Sequence, residues 1–528
     1  MSESGHVQMG SPSDTPISQL SMTKLDILPT IGEDNIQALL EEHGLEYTPD
    51  GEHIRWLASN PSHPRKWPML RKIYDSGLII ILDLFTTAVS TAGSAAADHA
   101  RHEFGLSRTL AVFLFVSVYL IGQGIGGIIF PPYSESFGRK KLYIISTGLY
   151  SLFCLMVGLS PSVAGAIVGR FFSGFLSAIP TIVVAGSIED IFNSKDRIWL
   201  IFLWAMVANM GLILGPIMSI YIIDALDWRW VFHISAIFTA VITVLLLGIR
   251  ESRPSLLLAQ EVAKLRKLTG ISTLKALNPD HAPDMKTFVR IALFRPLKLF
   301  FTEPIVFMVA TISAVAFALI YLFTEALPPI YEDLGFSSAN SSLPFLAIGI
   351  GLISGVLTRI FDHKTITRYQ REGKPLQPEH KLVGFSIGAP VLAVGLWWFA
   401  WTIPPRVLGV HWVVSAISLV LIGYALNEFD AVLAGYLADS YLSYSASGFA
   451  ALSLVRSTLS AVFPLFAGRM YEVLGANLAT SILAALATAF CIIPPLFTRY
   501  GPRIRARSKF ARYSLQVYLE NGVDKDGY

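Results

Sequence analysis

The segment SGLIIILDLFTTAVSTAGSAAA, Ser76 to Ala97, decides how the rest of the chain is read. As a helix it rises roughly 33 Å at 1.5 Å per residue, enough to cross the roughly 30 Å hydrocarbon core of a bilayer. It holds one charge, Asp83, and a set of hydroxyls. Comparable apolar runs follow near 109–131, 142–160, 163–187, 198–222 and 231–249, then near 303–326, 343–361, 382–402, 412–436, 446–467 and 477–498. The runs fall into six plus six. The whole 528-residue chain is 53% hydrophobic and 15% charged, with mean hydropathy +0.54, against about 25% charged residues in an average soluble domain. That composition excludes a soluble enzyme. The near-cancelled net charge of +3 excludes a generally basic nucleic-acid binder.

The expectation is an all-α integral membrane protein, twelve transmembrane helices in two six-helix bundles. Its parts are a disordered acidic tail over 1–64, an N-terminal bundle over 65–249, a central loop over 250–302, a C-terminal bundle over 303–498 and a basic tail over 499–528. The first 64 residues carry ten acids against Lys24 and Arg55 and lack the apolar core of a cleavable signal. In the central loop, Leu258, Val262, Leu265 and Leu268 recur at helical spacing among Lys264, Arg266 and Lys267. This reads equally as a basic amphipathic helix on the anionic inner leaflet and as a solvated linker helix.

Basic residues in short loops set orientation. Arg65, Lys66, Arg71, Lys72, Arg139, Lys140, Lys141, Lys195, Arg197, Lys364, Arg368, Arg371, Lys374 and Lys381 lie on one side, and Arg101, Arg108, Arg229, Arg406 and Arg469 on the other. Both termini are therefore expected in the cytosol. The sequon Asn340-Ser341-Ser342 then falls in an outer loop, a candidate N-glycosylation site. Trp228, Trp230, Trp397, Trp398, Trp401 and Trp412 sit at span ends, as an interfacial belt or as ordinary packing. Cys154 and Cys491 lie inside apolar runs, so neither a disulfide framework nor a cysteine zinc site is available; no metal or other cofactor is expected.

Two enzyme-like motifs fail on context. Gly122 to Gly127 fits GxGxxG but lies inside span 2, and Gly384 to Gly388 fits GxSxG but begins span 9. Small residues that let helices approach explain both.

Polar residues within spans carry more information, because hydrocarbon penalises them. Asp83, Thr86, Thr87, Ser90, Thr91 and Ser94 fall within an arc of about 140° on span 1. Hydroxyls alone also suit interhelical bonding; an acid heading the stripe favours a cavity. Span 4 repeats the pattern with Arg170, Ser173, Ser177 and Thr181, implying an aqueous path between the two spans. If span 1 starts inside and span 4 outside, Asp83 and Arg170 sit at levels roughly 10 Å apart, too far to pair directly. In the second half, Glu428 is the second coupling candidate, Glu325 a mouth residue, and Arg456 a partner for Glu428 or for an anionic group.

Further motifs extend this reading. Loop 2–3 reads Pro131-Pro132-Tyr133-Ser134-Glu135-Ser136-Phe137-Gly138-Arg139-Lys140, span 4 Arg170-Phe171-Phe172-Ser173-Gly174, and span 5 Gly211-Leu212-Ile213-Leu214-Gly215-Pro216. These resemble the GxLaDrxGrk loop, the RxxqG element and the antiporter element GxxxGP of the major facilitator superfamily, specifically its twelve-span drug:proton antiporter branch in fungi. The resemblance covers roughly 64 to 512 and is nearest the polyamine-transporter-like and secondary-metabolite efflux pumps. The loop departs from its pattern at Pro131, Glu135 and Ser136, and span 5 has Ser219 where a later Gly is usual.

The resemblance implies a transporter, not an enzyme. Its expected activity is proton-coupled export of drugs or fungal secondary metabolites by alternating access. A polyamine:proton antiporter is the alternative, and a proton-coupled nutrient importer the third reading. Asp83, Glu428 and Arg170 are the coupling candidates. Thr86, Thr87, Ser90, Thr91, Ser94, Ser173 and Ser177 are candidate substrate contacts, Gly211, Gly215 and Pro216 the antiporter element, and Glu135, Gly138, Arg139 and Asp190 the inner gate. Expected partners are a small molecule, protons and membrane lipid, without nucleic acid. The chain is expected to be a monomer in the plasma membrane, the vacuolar membrane being the alternative.

Overall fold

Span 3, Lys140–Leu159, buries Ser146, Thr147, Tyr150 and Cys154 and exposes Ile145, Leu149, Leu152 and Leu159. A helix in water does the opposite; this one is built for an apolar solvent, with its polar groups satisfied inside the protein. The structure, a computed structural model, describes residues 33–48, 52–57, 59–271, 274–277, 294–372, 377–406, 409–441 and 445–513. Twelve helices within them are long and apolar enough to cross a membrane. The first six are Met69–Phe104, Arg108–Phe137, Lys140–Leu159, Val163–Ile191, Trp199–Ala225 and Trp228–Leu246. The second six are Pro304–Asp333, Ser338–Thr365, Val383–Ala400, Trp412–Tyr441, Ser447–Leu474 and Ala476–Arg507. Helix thus continues to Arg507, eight residues past the tail boundary expected at 499.

The connections explain the tight turns. Span 1 ends on Gly105 in the left-handed region (φ 63°), and Ser107 then caps span 2 through the Leu110 amide. Within the GxGxxG stretch, Gly122 and Gly126 lie directly on the backbone of span 4, at Phe171 and Phe175. Gly124 and Gly127 face Ser457 and Ser453 of span 11. The motif is a two-sided packing face.

Two π-helical turns interrupt the spans, Phe113–Ser117 in span 2 and Ile179–Val183 in span 4. Such turns displace carbonyls from the regular ladder. Both supply groups to the site below.

The described chain divides into two compact units, Met1–Pro61 with Leu258–Leu277, and Ser62–Leu257 with Asn278–Tyr528. In the first, the helix Glu33–Glu42 leads into an antiparallel hairpin, Leu45–Tyr47 with Ile54–Trp56. Ile54 also bridges to Ala276. Leu40, Leu45, Ile54, Leu258, Val262, Leu265 and Leu274 form a small apolar core of their own. Disorder expected over 1–64 is thereby corrected for the described part of that stretch. The apolar stripe of the central-loop helix, Pro254–Thr269, is likewise neither free for a leaflet nor solvated at Leu258, Val262 and Leu265, because the N-terminal segment covers it. Of the four stripe residues only Leu268 is exposed.

Candidate functional site

Asp83 sits at the middle of span 1, and its surroundings expose none of its surface. Its carboxylate accepts from Thr181 Oγ1 at 2.8 Å, Trp204 Nε1 at 2.7 Å and, weakly, Thr87 Oγ1 at 3.5 Å. Thr181 belongs to the π turn of span 4, and Trp204 to span 5. All three donors are neutral, so the burial of a charge here is met by hydrogen bonds, with no ion pair among the described residues. Sequence reasoning named Asp83 and saw Thr181, but missed Trp204, whose indole looks apolar in a hydrophobic run.

Arg170 does not meet Asp83. It is fully buried; its Nε donates to the carbonyl of Phe115, in the π turn of span 2, at 2.8 Å. The guanidinium stacks on Tyr119 at 4.3 Å, and its two terminal nitrogens have no hydrogen-bond partner among the described residues. Gly93 on span 1 makes the room, since a Cβ there would overlap the Phe115 carbonyl.

The hydroxyl stripe divides into three. Thr86 and Thr91 donate back to Asp83 and Ala88 carbonyls of their own helix. Thr87 and Thr91 pack on the antiporter glycines Gly211 and Gly215 of span 5, while helix continues through Pro216 with Ser219 donating to its carbonyl at 3.1 Å. Ser90 and Ser94 turn to span 7, Ser90 bonding the Tyr321 hydroxyl at 2.8 Å and Ser94 the Glu325 carboxylate. On span 4, Ser173 and Ser177 bond the carbonyls of Arg170 and Gly174. In this state these candidate substrate contacts are buried against neighbouring helices, and a cavity lies elsewhere. It is small, and Asn209, Ser313, Ala316, Phe317, Ile320, Leu426 and Asp430 line it, between spans 5, 7 and 10.

Arg456 meets two residues of that lining. It pairs with Asp430 at 3.2 Å and stacks on Phe317 at 4.4 Å, while Asn209 donates to the other Asp430 oxygen at 3.4 Å. The pairing of Arg456 with Glu428 is therefore corrected to Asp430. Glu428 instead meets Arg359 of span 8 at 2.8 Å, and Arg359 also meets Asp362 at 2.9 Å. Residues 428 and 430 are two apart, which on a helix turns their side chains to different neighbours.

At the end carrying loops 2–3 and 4–5, Arg139 pairs with Asp190 at 2.9 Å, both nearly buried, and donates to the Val183 carbonyl of the π turn. The amides of Arg139 and Lys140 donate to Glu251, just beyond span 6, at 3.0–3.1 Å. Gly138 (φ +91°) precedes them, with no room for a Cβ beside Glu251. Sequence reasoning proposed Arg139 and Asp190 and missed Glu251; Glu135 is half-buried and is not the carboxylate holding Arg139. The second half has its own counterpart: Arg505 grips Glu379 through two bonds, 3.0 and 2.6 Å, and Lys381 pairs with Asp439 at 2.7 Å.

At the other end the two halves meet. Glu325, expected as a mouth residue, is buried there and bonds Ser94 and Arg108; Arg108 reaches Glu472 of span 11 at 3.1 Å. Tyr221 donates to Asn340 at 2.7 Å, and Ser341 and Ser342 of the sequon are buried. Trp228 is core, bonded to Glu103, so it is removed from the interfacial belt.

Residues 78–464 match the model of the Major Facilitator Superfamily. A multidrug transporter of Candida glabrata, TPO1_2, is 32% identical over 484 residues, covering 90% of this chain and 81% of that protein. The efflux pump FUBT of Fusarium oxysporum is 32% identical over 468 residues, covering 88% and 78%. In fold the chain is similar to a D-xylose–proton symporter, at TM-score 0.58 and 17% identity, covering 81% of this chain and 97% of that one. With twelve spans, a matched family model and relatives along most of its length, the chain belongs to the Major Facilitator Superfamily and is a multi-pass membrane transporter of small molecules, not an enzyme.

Proposed function

We propose that the protein is a proton-driven efflux pump for small organic toxic compounds, drugs or secondary metabolites, working by alternating access. The names of its relatives, multidrug transporter and efflux pump, support export. Asp83 carries the coupling reading: it is a fully buried carboxylate with neutral donors and no ion-pair partner among the described residues. A buried carboxylate whose donors are all neutral can exchange a proton as the path to either face opens in turn. Arg170, whose two terminal nitrogens have no hydrogen-bond partner among the described residues, lies on span 4 and tunes that exchange. Substrate is held near Asn209, Phe317 and Asp430 when the small cavity between spans 5, 7 and 10 widens during the cycle, since aromatic and apolar surface meets a few polar atoms there.

Polyamine export finds less support. Asp83, Glu325 and Glu428, the acids considered for a polycation, occupy separate sites, and Glu325 and Glu428 already have arginine partners. The pump is assigned to the plasma membrane as a monomer, with both termini cytosolic and the Arg139–Asp190 latch on the inner side.

Asp83→Asn tests the coupling. In reconstituted vesicles carrying a fluorescent drug, an imposed proton gradient is expected to drive export in the parent and not in the variant. Undiminished gradient-driven export by the variant overturns the assignment.

A further inference from the structure

Glu428 lies in a nest that only glycines permit. A Cβ at Gly384 of span 9 would overlap its carboxylate, and one at Gly388 would press on its Cβ at 3.1 Å. The GxSxG motif at the start of span 9 thus has a structural purpose: it makes room for an acid on span 10. On span 8, Gly355 opens onto both the Asn427 amide and Glu428 Oε1.

The charges in the nest do not cancel. Arg359 contributes one positive charge, and Glu428 and Asp362 contribute two negative ones. Glu428 has no exposed surface and Asp362 is buried, yet no second cation lies within ion-pair distance of either among the described residues. Uncompensated buried charge is strongly unfavourable. Beside it, Asn427 is 1% exposed with both amide atoms unpartnered, and Glu428 Oε1 is unpartnered as well. Span 9 sets Gly384 and Gly388 against Glu428, and the neighbouring Tyr424 hydroxyl is engaged with Thr358 at 2.7 Å. One positive charge is missing. A metal cation is disfavoured by the guanidinium, which stands 2.8 and 2.9 Å from the two carboxylates; a proton on Glu428 Oε1, an oxygen without a partner among the described residues, faces no such conflict.

We propose that the Arg359–Asp362–Glu428 cluster, with Asn427 beside it, is a second proton-binding site in the C-terminal half, separate from Asp83, so that the transporter binds two protons per cycle. The proposal rests on the proton-coupled reading above. The side chains of Arg359 and Asp362 are 19% and 10% exposed and Glu428 is not, so the proton reaches Glu428 past this pair. Arg359 is a positioning residue: it holds the two carboxylates together without itself exchanging the proton.

Infrared difference spectroscopy of the purified full-length protein in lipid nanodiscs, stepped between mildly acidic and mildly alkaline buffer, reads protonated carboxyl groups directly and needs no substrate. The expected spectrum contains one buried-carboxyl band that is lost in Asp83→Asn and a separate one that is lost in Glu428→Gln. Asp362→Asn supplies the decisive control. It leaves a neutral Arg359–Glu428 pair with its packing kept, and is expected to abolish the same band as Glu428→Gln. A spectrum that neither Glu428→Gln nor Asp362→Asn alters overturns the second site and makes the cluster a permanent ion pair. Loss of the Asp83 band is scored independently, so failure of the coupling reading is distinguishable from failure of this proposal.

Discussion

Asp83 was legible in the sequence because an acid inside an apolar run is costly and marks a polar site within the protein. Its partners were not. Thr181 and Trp204 stand 98 and 121 residues away, and only the packing of spans 1, 4 and 5 brings them together. Hydrogen bonds to a charged group are worth about 1.5–3 kcal/mol, so Trp204→Phe, which keeps the ring and removes the donor, is expected to slow gradient-driven export by roughly ten- to a hundredfold. Initial rates in proteoliposomes at matched protein density check it; a rate within twofold of the parent removes Trp204 from the site. Gly384 makes a purely steric case. Alanine there forces Glu428 or Arg359 to shift, and overpacking of this kind costs about 1–3 kcal/mol. A lowered unfolding midpoint in detergent is the expected result, whereas alanine at Gly77, which meets nothing within 4 Å, is expected to leave it unchanged.

At the scale of elements, the twelve spans were readable from hydropathy and the π turns were not, since no residue pattern distinguishes a π turn from the helix around it. Yet these turns carry much of the site: one presents Thr181 to Asp83 and the Val183 carbonyl to Arg139, the other the Phe115 carbonyl to Arg170. The small N-terminal unit escaped for a different reason. Its apolar residues are few, and half of its core comes from a segment some 200 residues further on, so neither stretch alone looks able to fold. Leu40 and Val262 are 1% exposed in that core. Val262→Asp places a charge without a partner among leucines, and is expected to release the segment 33–57 to limited proteolysis while the twelve spans remain resistant. Unchanged protection of that segment refutes the packing. The Arg139–Asp190 pair behaves differently from a surface bridge, because both side chains are nearly buried, at 4% and 6%. Removing one partner of such a pair costs about 3–5 kcal/mol, so Asp190→Asn is expected to destabilise more than the double variant with Arg139→Leu, as a thermal-unfolding comparison reads out.

For the whole molecule, the distribution of polar contacts describes one state of an alternating cycle. At the end of Ser94, Arg108, Tyr221, Glu325, Asn340 and Glu472 the contacts join the two halves. At the opposite end the strong ion pairs stay within a half, Arg139 with Asp190 in one and Arg505 with Glu379 in the other. A rocking motion must break the first set and can keep the second. Arg108 is 35% exposed, so each of its pairs contributes about 1 kcal/mol or less; the buried Ser94–Glu325 bond, involving a carboxylate, contributes about 1.5–3 kcal/mol. Together they hold the end closed by a few kcal/mol, a margin that two substitutions remove. Arg108→Ala with Glu325→Gln is therefore expected to raise the open population at least tenfold. A cysteine at Ser313, which lines the central pocket and is 2% exposed, reports it in a chain whose Cys154 and Cys491 are replaced by serine. Labelling of Ser313→Cys by a membrane-impermeant maleimide is expected to accelerate by that factor in the double variant. Equal labelling rates in both backgrounds show that these contacts do not set the closure, and that the apolar packing of spans 1, 2, 7 and 11 does.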